Sequence, residues 1–192
     1  MTIYFKEIIK PLFQWKQGGE RLIENGTKLI CRVPHIAPEA WFHIIYPKIE
    51  ITSLIEIEKE LSIPLPDDFK GLLLTTNGIN IFSDSLRIYG KRDSYVRKGD
   101  DAIQPYDLTM HHSEVKRYFP DKYLVIGSYN WDGSHIVYDL ETNQIHHCKR
   151  YTSNELNSWD NLNTFLSDEI KRLTPLFDEN GIEYDEDFPT TP

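Results

Sequence analysis

Three short apolar segments separated by tight turns constrain the fold more than any other feature of this 192-residue sequence. Segments 123–129 and 135–140 flank the sequence Asn-Trp-Asp-Gly at 130–133, and Asp-Gly between apolar runs is typical of a β-hairpin. Four polar residues at 141–144 then lead into a third segment, 145–149. Because such short turns connect antiparallel neighbours, the sequence predicts three consecutive strands of one antiparallel sheet.

Two helices are predicted upstream of these strands, on either side of a Pro-Leu-Pro break at 64–66. The first has apolar residues at helical spacing over 53–61, and Ser53 followed by Glu56 fits a capping box at its start. The second begins at 67. We expect Asn77-Gly78 to close it, because a helix end commonly requires a residue with positive φ.

Further elements are predicted towards both ends of the chain. Helical spacing predicts a helix over 4–15, kinked or shortened by Pro11, and a last helix capped by Ser158. Alternating side chains predict short strands at 27–33 and 86–89. Helices followed by strands and a final helix predict an α+β fold, as a single domain with a mainly antiparallel sheet packed against helices.

The acidic charge is concentrated in the last quarter of the chain. The net charge is −9, and residues 151–192 hold 10 acidic and 2 basic residues, against 20 acidic and 19 basic residues before them. The excess of acidic residues would repel phosphate groups, so we expect no broad contact with nucleic acid. A basic protein partner is permitted.

Cysteine content and hydropathy favour a cytoplasmic protein. The two cysteines, Cys31 and Cys148, could form a disulfide, but the chain is not a small cysteine-dense framework, so reduced thiols are favoured. The N-terminal segment lacks the pattern of a signal peptide, and no run of about 18 apolar residues is present. We therefore expect no membrane association.

The sequence predicts neither a catalytic site nor a cofactor. No P-loop, G-x-G-x-x-G, G-x-S-x-G or H-E-x-x-H motif is present. A zinc site is the competing interpretation of the histidines, since His146 and Cys148 would share one strand face and His135 lies on the neighbouring strand. His147 would point away, and ordinary sheet histidines are favoured over a metal site.

A resemblance to the SUKH superfamily begins at 54–78, which reads L-I-E-I-E-K-E-L-S-I-P-L-P-D-D-F-K-G-L-L-L-T-T-N-G. The strand ending in glycine at 127 and the next hairpin resemble the second half of the same pattern. The resemblance implies a SUKH-like domain over 49–174, with residues 1–48 as a helix-and-strand elaboration of the same domain and 175–192 as an acidic tail. The residues that carry the family motif are Glu58, Leu65, Pro66, Phe69, Asn77, Gly78, Gly127, Gly133 and Asp139.

The superfamily includes fungal regulators of cell-wall glucan synthesis and bacterial immunity proteins. The resemblance therefore implies a binding scaffold without catalysis, most simply an immunity protein that neutralises a toxin domain, such as a nuclease, by stoichiometric binding. An intracellular regulatory scaffold is the alternative. A small-molecule binder with an aromatic cleft of Trp41, Tyr89 or Trp131 is a third interpretation. We expect a monomer or a weak homodimer.

Two groups of residues are candidate contacts for a protein partner. Trp131 and Asp132 project from a hairpin tip, and tryptophan is enriched at binding hot spots, although Asp132 could simply serve the turn. The acidic tail could imitate the phosphate charge that a basic nuclease binds, or could only aid solubility. Its candidate residues are Asp178, Glu179, Asp185 and Glu186, with Glu183 and Asp187 beside them.

Overall fold

A computed structural model describes residues 2–192, and the side chains of residues 5–192. It contains one nine-stranded sheet in which each strand pairs antiparallel with its neighbours in chain order. The predicted α+β class with a mainly antiparallel sheet is confirmed, and the sheet has more strands than the sequence predicted. The strands are β1 (Glu20–Leu22), β2 (Lys28–Arg32), β3 (Trp41–Ile45), β4 (Ile79–Ile81), β5 (Leu86–Ile88), β6 (Tyr123–Tyr129), β7 (His135–Asp139), β8 (Ile145–Cys148) and β9 (Glu155–Trp159).

Among residues 2–192, five α-helices and four 3₁₀ segments accompany the sheet. The first helix passes into a 3₁₀ segment, Lys10–Gly18, at the predicted Pro11 break. No helix among residues 2–192 is long and apolar enough to cross a membrane. The α-helices are α1 (Thr2–Ile9), α2 (Ile51–Leu61), α3 (Asp67–Leu73), α4 (Leu108–Val115) and α5 (Leu162–Leu173).

Two predicted helix caps are wrong. Helix α2 begins before Ser53, at Ile51, and its N-cap residue Glu50 makes no capping hydrogen bond through its side chain. Helix α5 is capped by Asn161, whose Oδ1 accepts a hydrogen bond from the Thr164 N–H at 2.9 Å, whereas Ser158 lies in β9. In both cases the true cap residue lies three positions from the serine that the sequence pattern indicated.

The antiparallel order divides the connections between two ends of the sheet. At one end, here called the turn end, lie the short connections 33–40, 82–85, 130–134 and 149–154. At the other, the helix end, lie the long connections that carry α2, α3 and α4, with the turns 23–27 and 140–144. The two ends therefore differ in kind: the turn end has only short connections, whereas the helix end also has the long connections that contain α2, α3 and α4.

Helices cover both faces of the sheet. Tyr138 of β7 donates a hydrogen bond from its hydroxyl to Asp68 Oδ1 of α3 at 2.8 Å. His135, three residues earlier, points to the opposite face, where its ring lies 5.6 Å from that of Phe119, just beyond α4. Helix α1 contacts α3 and α5, which places these three helices together.

The C-terminal tail is docked on the domain. Residues 177–183 form a closed loop, here called the hook, held by a bridge between Phe177 and Glu183. Trp15 Nε1 donates to the Asp178 carbonyl oxygen at 2.7 Å, and an Arg172 guanidinium nitrogen donates to the Thr190 carbonyl oxygen at 2.7 Å. Phe177 is buried with its ring 5.0 Å from that of Phe42. These contacts hold the tail against the domain.

Candidate protein-binding site

Exposed apolar side chains project from three of the four connections at the turn end. Ile36 is 55% exposed, and Trp131 and Tyr151 are each 45% exposed. Their backbones belong to connections anchored on both sides by sheet strands. Because loops on a rigid scaffold hold side chains in place without ordering cost on binding, this end of the sheet is suited to contact another protein.

The hairpin tip that carries Trp131 is held by its own turn and by the neighbouring strand. Asp132 Oδ1 accepts a hydrogen bond from the Ser134 N–H at 2.9 Å, which is the turn-serving role considered for this aspartate. Asn130 Oδ1 accepts from the Arg87 guanidinium at 2.9 Å. Gly133, a motif residue, has φ of 69°, which a residue with a side chain rarely adopts. The tip thus fixes the backbone and leaves the indole in solvent.

Beside the tip lies a cluster of two stacked arginine–tyrosine pairs, here called the Arg-Tyr cluster. The Arg150 guanidinium lies 4.7 Å from the centroid of the Tyr151 ring, and that of Arg117 lies 4.8 Å from the Tyr118 centroid. The two tyrosine rings are 5.2 Å apart. Arg150 also packs over the tip, because a Cβ at Gly133 would lie 3.1 Å from Arg150 Cδ. Stacking of this kind pre-orders side chains that are common at binding hot spots.

The Arg-Tyr cluster was missed by the sequence interpretation. Its local signal is the Arg-Tyr dipeptide, which occurs at 117–118 and at 150–151. The contact between the two pairs depends on the turn after β8 reaching the 3₁₀ segment after α4, and no local pattern reports that contact.

A buried histidine lies under this cluster. His135 is 7% exposed, its ring is 5.9 Å from that of Tyr151, and neither ring nitrogen has a hydrogen-bond partner among residues 2–192. Burial, with the nearby positive charge of Arg150, lowers the pKa of His135 to about 4. The imidazole is therefore neutral near pH 7, and the surface above it stays basic through its arginines alone.

The hook places acidic residues beside the 33–40 connection. A Cβ at Gly181 would lie 3.0 Å from Val33 Cγ1, so the hook packs directly on the end of β2. The Asp178 carboxylate is turned inward, where Oδ1 accepts from the N–H groups of Asn180 and Ile182 at 2.8 and 2.9 Å. The Ile182 N–H is the main cause that lowers the pKa of Asp178, with Asn180 adding to it.

The remaining predicted acidic residues face solvent. Glu179, Asp185 and Glu186 are all exposed. Four strand spacings, about 19 Å, separate the 33–40 connection from the Trp131 tip. The turn end therefore has an acidic side at the hook and a basic, aromatic side at the Arg-Tyr cluster.

The polar residues of the family motif have structural roles at the helix end. Glu58 Oε1 accepts from Lys70 Nζ and from the Leu65 N–H, each at 2.8 Å, which ties α2 to the start of α3. The Lys70 hydrogen bond, followed by that of Leu65, lowers the pKa of Glu58. Pro66 is the N-cap residue of α3, and Phe69 is fully buried.

The predicted role of Asn77-Gly78 as a helix end is wrong. Helix α3 ends at Leu73, and Asn77 instead makes two hydrogen bonds with the backbone of Lys91. Its Nδ2 donates to the Lys91 carbonyl, and its Oδ1 accepts from the Lys91 N–H, both at 2.7 Å. Gly78 has φ of 79°, and a Cβ there would collide with the Ile88 carbonyl oxygen. The pair thus joins the β3–β4 connection to the chain leaving β5.

The other motif residues support the middle of the sheet. A Cβ at Gly127 would collide with the Arg87 carbonyl oxygen, next to an irregularity in the pairing of β6 with β7. Asp139 Oδ1 accepts from the Glu141 N–H at 2.9 Å, and Oδ2 accepts from Lys122 Nζ at 2.7 Å. Burial alone would raise the pKa of Asp139, but these donors outweigh it and hold the pKa below its ordinary value.

In the described part of the chain, the histidines form no candidate metal cluster, and both cysteines are buried free thiols. Among residues 2–192, no group of three or more His, Cys, Asp or Glu side chains is placed to hold a metal ion. Burial raises the pKa of Cys148 to about 11 and also raises that of Cys31, so both are protonated thiols rather than nucleophilic thiolates near pH 7.

Two of the residues considered for an aromatic cleft, Tyr89 and Trp131, lie at different ends of the sheet. Tyr89 follows β5 at the helix end, where it stacks on His111, whereas Trp131 follows β6 at the turn end. The two residues lie at opposite ends of paired strands, so their side chains cannot line one cleft.

The family model described as SMI1 / KNR4 family (SUKH-1) matches residues 49–168, more than half of the chain. The chain belongs to the SUKH superfamily. The match starts at the predicted boundary and ends within α5, so β1, β2, β3 and the hook lie outside it. No curated protein matches the chain.

Proposed function

We propose that this SUKH protein is a non-catalytic protein-binding module that acts as an immunity protein, neutralising a toxin domain by stoichiometric binding. The observation that carries the proposal is the turn end, where exposed Ile36, Trp131 and Tyr151 stand on strand-anchored connections. Family membership fits either an immunity or a regulatory role. The proposal therefore depends on this surface and not on the buried family motif.

The two sides of the turn end would have different roles in the complex. Trp131 and the Arg-Tyr cluster would supply the apolar anchors that account for most of the binding energy, with Asp132 fixing the tip. The exposed carboxylates Glu179, Asp185 and Glu186, beside the inward-turned Asp178, would face a basic surface such as that of a nuclease. Opposite potentials increase the association rate and make it strongly dependent on salt.

Where a neighbouring gene encodes a toxin, co-expression with that toxin tests the proposed role. We expect the intact protein to restore growth and to co-purify with the toxin at one-to-one stoichiometry. The Trp131→Ala/Tyr151→Ala variant should weaken the complex by about 30-fold or more, the usual effect of truncating hot-spot residues. The matched control is Ile51→Ala/Ile55→Ala, which removes two exposed apolar side chains at the helix end.

The possible outcomes separate the role from the surface. Failure of the intact protein to rescue growth or to form a complex would count against the immunity role. If the turn-end variant restored growth normally and the helix-end control did not, the contact surface would lie on α2 instead.

A second measurement isolates the acidic side. The variant Glu179→Gln/Asp185→Asn/Glu186→Gln should reduce the association rate and flatten its salt dependence. The variant Glu24→Gln/Glu60→Gln/Asp121→Asn removes the same charge from exposed positions elsewhere and serves as the control. Equal salt dependence in both variants would leave the tail with a solubilising role only.

An intracellular regulatory scaffold is the second candidate function, because membership of the SUKH superfamily fits a regulatory role as well as an immunity role. If no toxin is encoded beside the chain, capture of host proteins by the intact protein and by the Trp131→Ala/Tyr151→Ala variant distinguishes the two. A partner captured by the first and lost by the second would support the scaffold role through the same surface.

A further inference from the structure

An open pocket at the helix end combines an apolar floor with a basic rim. Its volume is about 410 Å³, within the range of small-molecule sites. Ile9 and Phe13 of the N-terminal helical segment line one wall, and Ile45 and Tyr46 at the end of β3 line the opposite wall. Ile9, Ile45 and Tyr46 are themselves buried, so the pocket reaches the edge of the core.

Three lysines surround the pocket. Lys6, Lys28 and Lys48 are lining residues and all are exposed, and the described lining includes no carboxylate. Lys28 Nζ lies 5.7 Å from the centroid of the Phe13 ring, which holds the ammonium group above the apolar wall. Lys48 has one exposed neighbour of opposite charge, Glu50, at 3.4 Å. A locally basic rim is unusual in a chain with a net charge of −9.

Nearly all of this pocket lies outside the matched family region. Of its lining residues, only Thr75 falls within 49–168. The others come from α1, the following 3₁₀ segment, the 23–27 turn, the start of β2, and the end of β3 with the residues just after it. The pocket is therefore a property of the N-terminal elaboration. It also lies at the opposite end of the sheet from Trp131 and the Arg-Tyr cluster.

We propose that this pocket binds a small amphipathic carboxylate, with its apolar chain against Ile9, Phe13 and Ile45 and its carboxylate among the three lysines. Burial of a hydrocarbon chain against apolar walls is favourable. The three ammonium groups attract a negative head group and repel a positive one. The inference does not depend on the proposed toxin-binding role, because it uses residues at the other end of the sheet.

Titration calorimetry with octanoate, octanol and octylamine tests the proposal on the intact protein. Octanoate should bind saturably at one site, octanol more weakly, and octylamine not measurably. Affinity should rise by up to about fourfold per added methylene from butyrate upwards, until the pocket is full. It should fall as ionic strength increases, because the ammonium groups are exposed. Equal binding of the three eight-carbon probes, or no saturable binding of octanoate, would overturn the proposal.

Charge variants and methyl spectra locate the site. Lys6→Gln/Lys28→Gln/Lys48→Gln should abolish the preference for octanoate over octanol, each lysine contributing about two- to fivefold. The control Lys59→Gln/Lys98→Gln/Lys171→Gln has the same charge change at exposed positions elsewhere and should retain that preference. Octanoate should shift the isoleucine methyl resonances of Ile9 and Ile45 and leave those of Ile51 and Ile55 unchanged. Shifts confined to the latter pair, or octanoate binding lost equally in both lysine variants, would contradict the assignment.

Discussion

At the helix end the polar side chains of the family motif face inward, whereas at the turn end several aromatic side chains face solvent. Glu58 and Asn77 satisfy backbone groups and leave little to offer a partner. Trp131 and Tyr151 are half-exposed and lie beside ordered arginines. The polar residues that identify the family therefore stabilise the fold, and the residues that we propose to contact a partner lie outside that pattern.

The largest expected effect on stability follows from truncating a buried side chain of the family motif. Phe69 is fully buried in α3, so Phe69→Ala should lower the free energy of unfolding by about 3–5 kcal/mol, through lost burial and the cavity left behind. Chemical denaturation measures this change. Ile55→Ala, at a position 59% exposed on α2, should remain within about 0.5 kcal/mol of the parent. If Phe69→Ala caused a loss as small as that of Ile55→Ala, α3 would not be part of the core.

Acid should act on buried histidines before it acts on the carboxylates of the family motif, and burial lowers the pKa of His111 at the helix end as well. The pKa of His135 at the turn end is lowered to about 4 from an ordinary 6.5, so the unfolded chain binds the extra proton first. Above about pH 6.5 the ring is neutral in both the folded and the unfolded chain, and the stability associated with its lowered pKa is fully present. This contribution, about 3 kcal/mol, is lost as pH falls to about 4. The lowered pKa values of Glu58 and Asp139 act later, as pH falls below their ordinary values.

Substitution of His135 isolates its contribution to the pH dependence of stability. His135→Phe removes a titrating ring that has no hydrogen-bond partner among the described residues. Stability at pH 7 should be retained, and the slope of unfolding free energy between pH 6.5 and 4 should decrease by up to about 1.4 kcal/mol per pH unit. Denaturation across this range measures the slope. A slope identical to the parent would show that His135 is protonated without cost.

Two glycines with positive φ test whether Gly78 is required because the backbone packs closely against it, or only because of its φ. Gly78 and Gly99 have φ of 79° and 68°, but only at Gly78 would a Cβ collide with backbone, whereas nothing lies within 4 Å of a Cβ at Gly99. Gly78→Ala should therefore exceed Gly99→Ala in destabilisation by about 1–3 kcal/mol. Thermal and urea unfolding of the two variants gives the difference. Equal effects would assign the whole cost to backbone conformation.

The sequence predicted the parts of the fold whose causes are local. Two short connections, one of them the Asp-Gly turn, correctly predicted β6, β7 and β8, and apolar spacing predicted α2, α3 and α5 apart from their caps. Strands β1 and β9 lie at the sheet edges with mostly exposed residues, so they lack an apolar alternation that could be recognised. The three-residue strand β4 is too short to show a period.

The candidate site was less predictable because its contacts are long-range. Trp131 and the tail carboxylates were identified as candidates from residue type and charge, and their role in binding stays a prediction. The stacking of Tyr118 against Tyr151 and the two hydrogen bonds between Asn77 and Lys91 join segments far apart in sequence. Such contacts depend on the whole sheet being assembled, and no window of sequence contains both partners.

The smallest effect on stability is expected where the largest effect on binding is proposed. Trp131→Ala should change the free energy of unfolding by less than about 0.5 kcal/mol, because the indole is 45% exposed and the tip is held by Asp132, Ser134 and Asn130. Urea denaturation measures this value alongside partner affinity. Asp132→Ala is the contrasting variant: it removes the acceptor of the Ser134 N–H and should cost about 0.5–1.5 kcal/mol. If Trp131→Ala destabilised the protein more than Asp132→Ala, the indole would be a structural residue, and the turn end would lose its main candidate for partner contact.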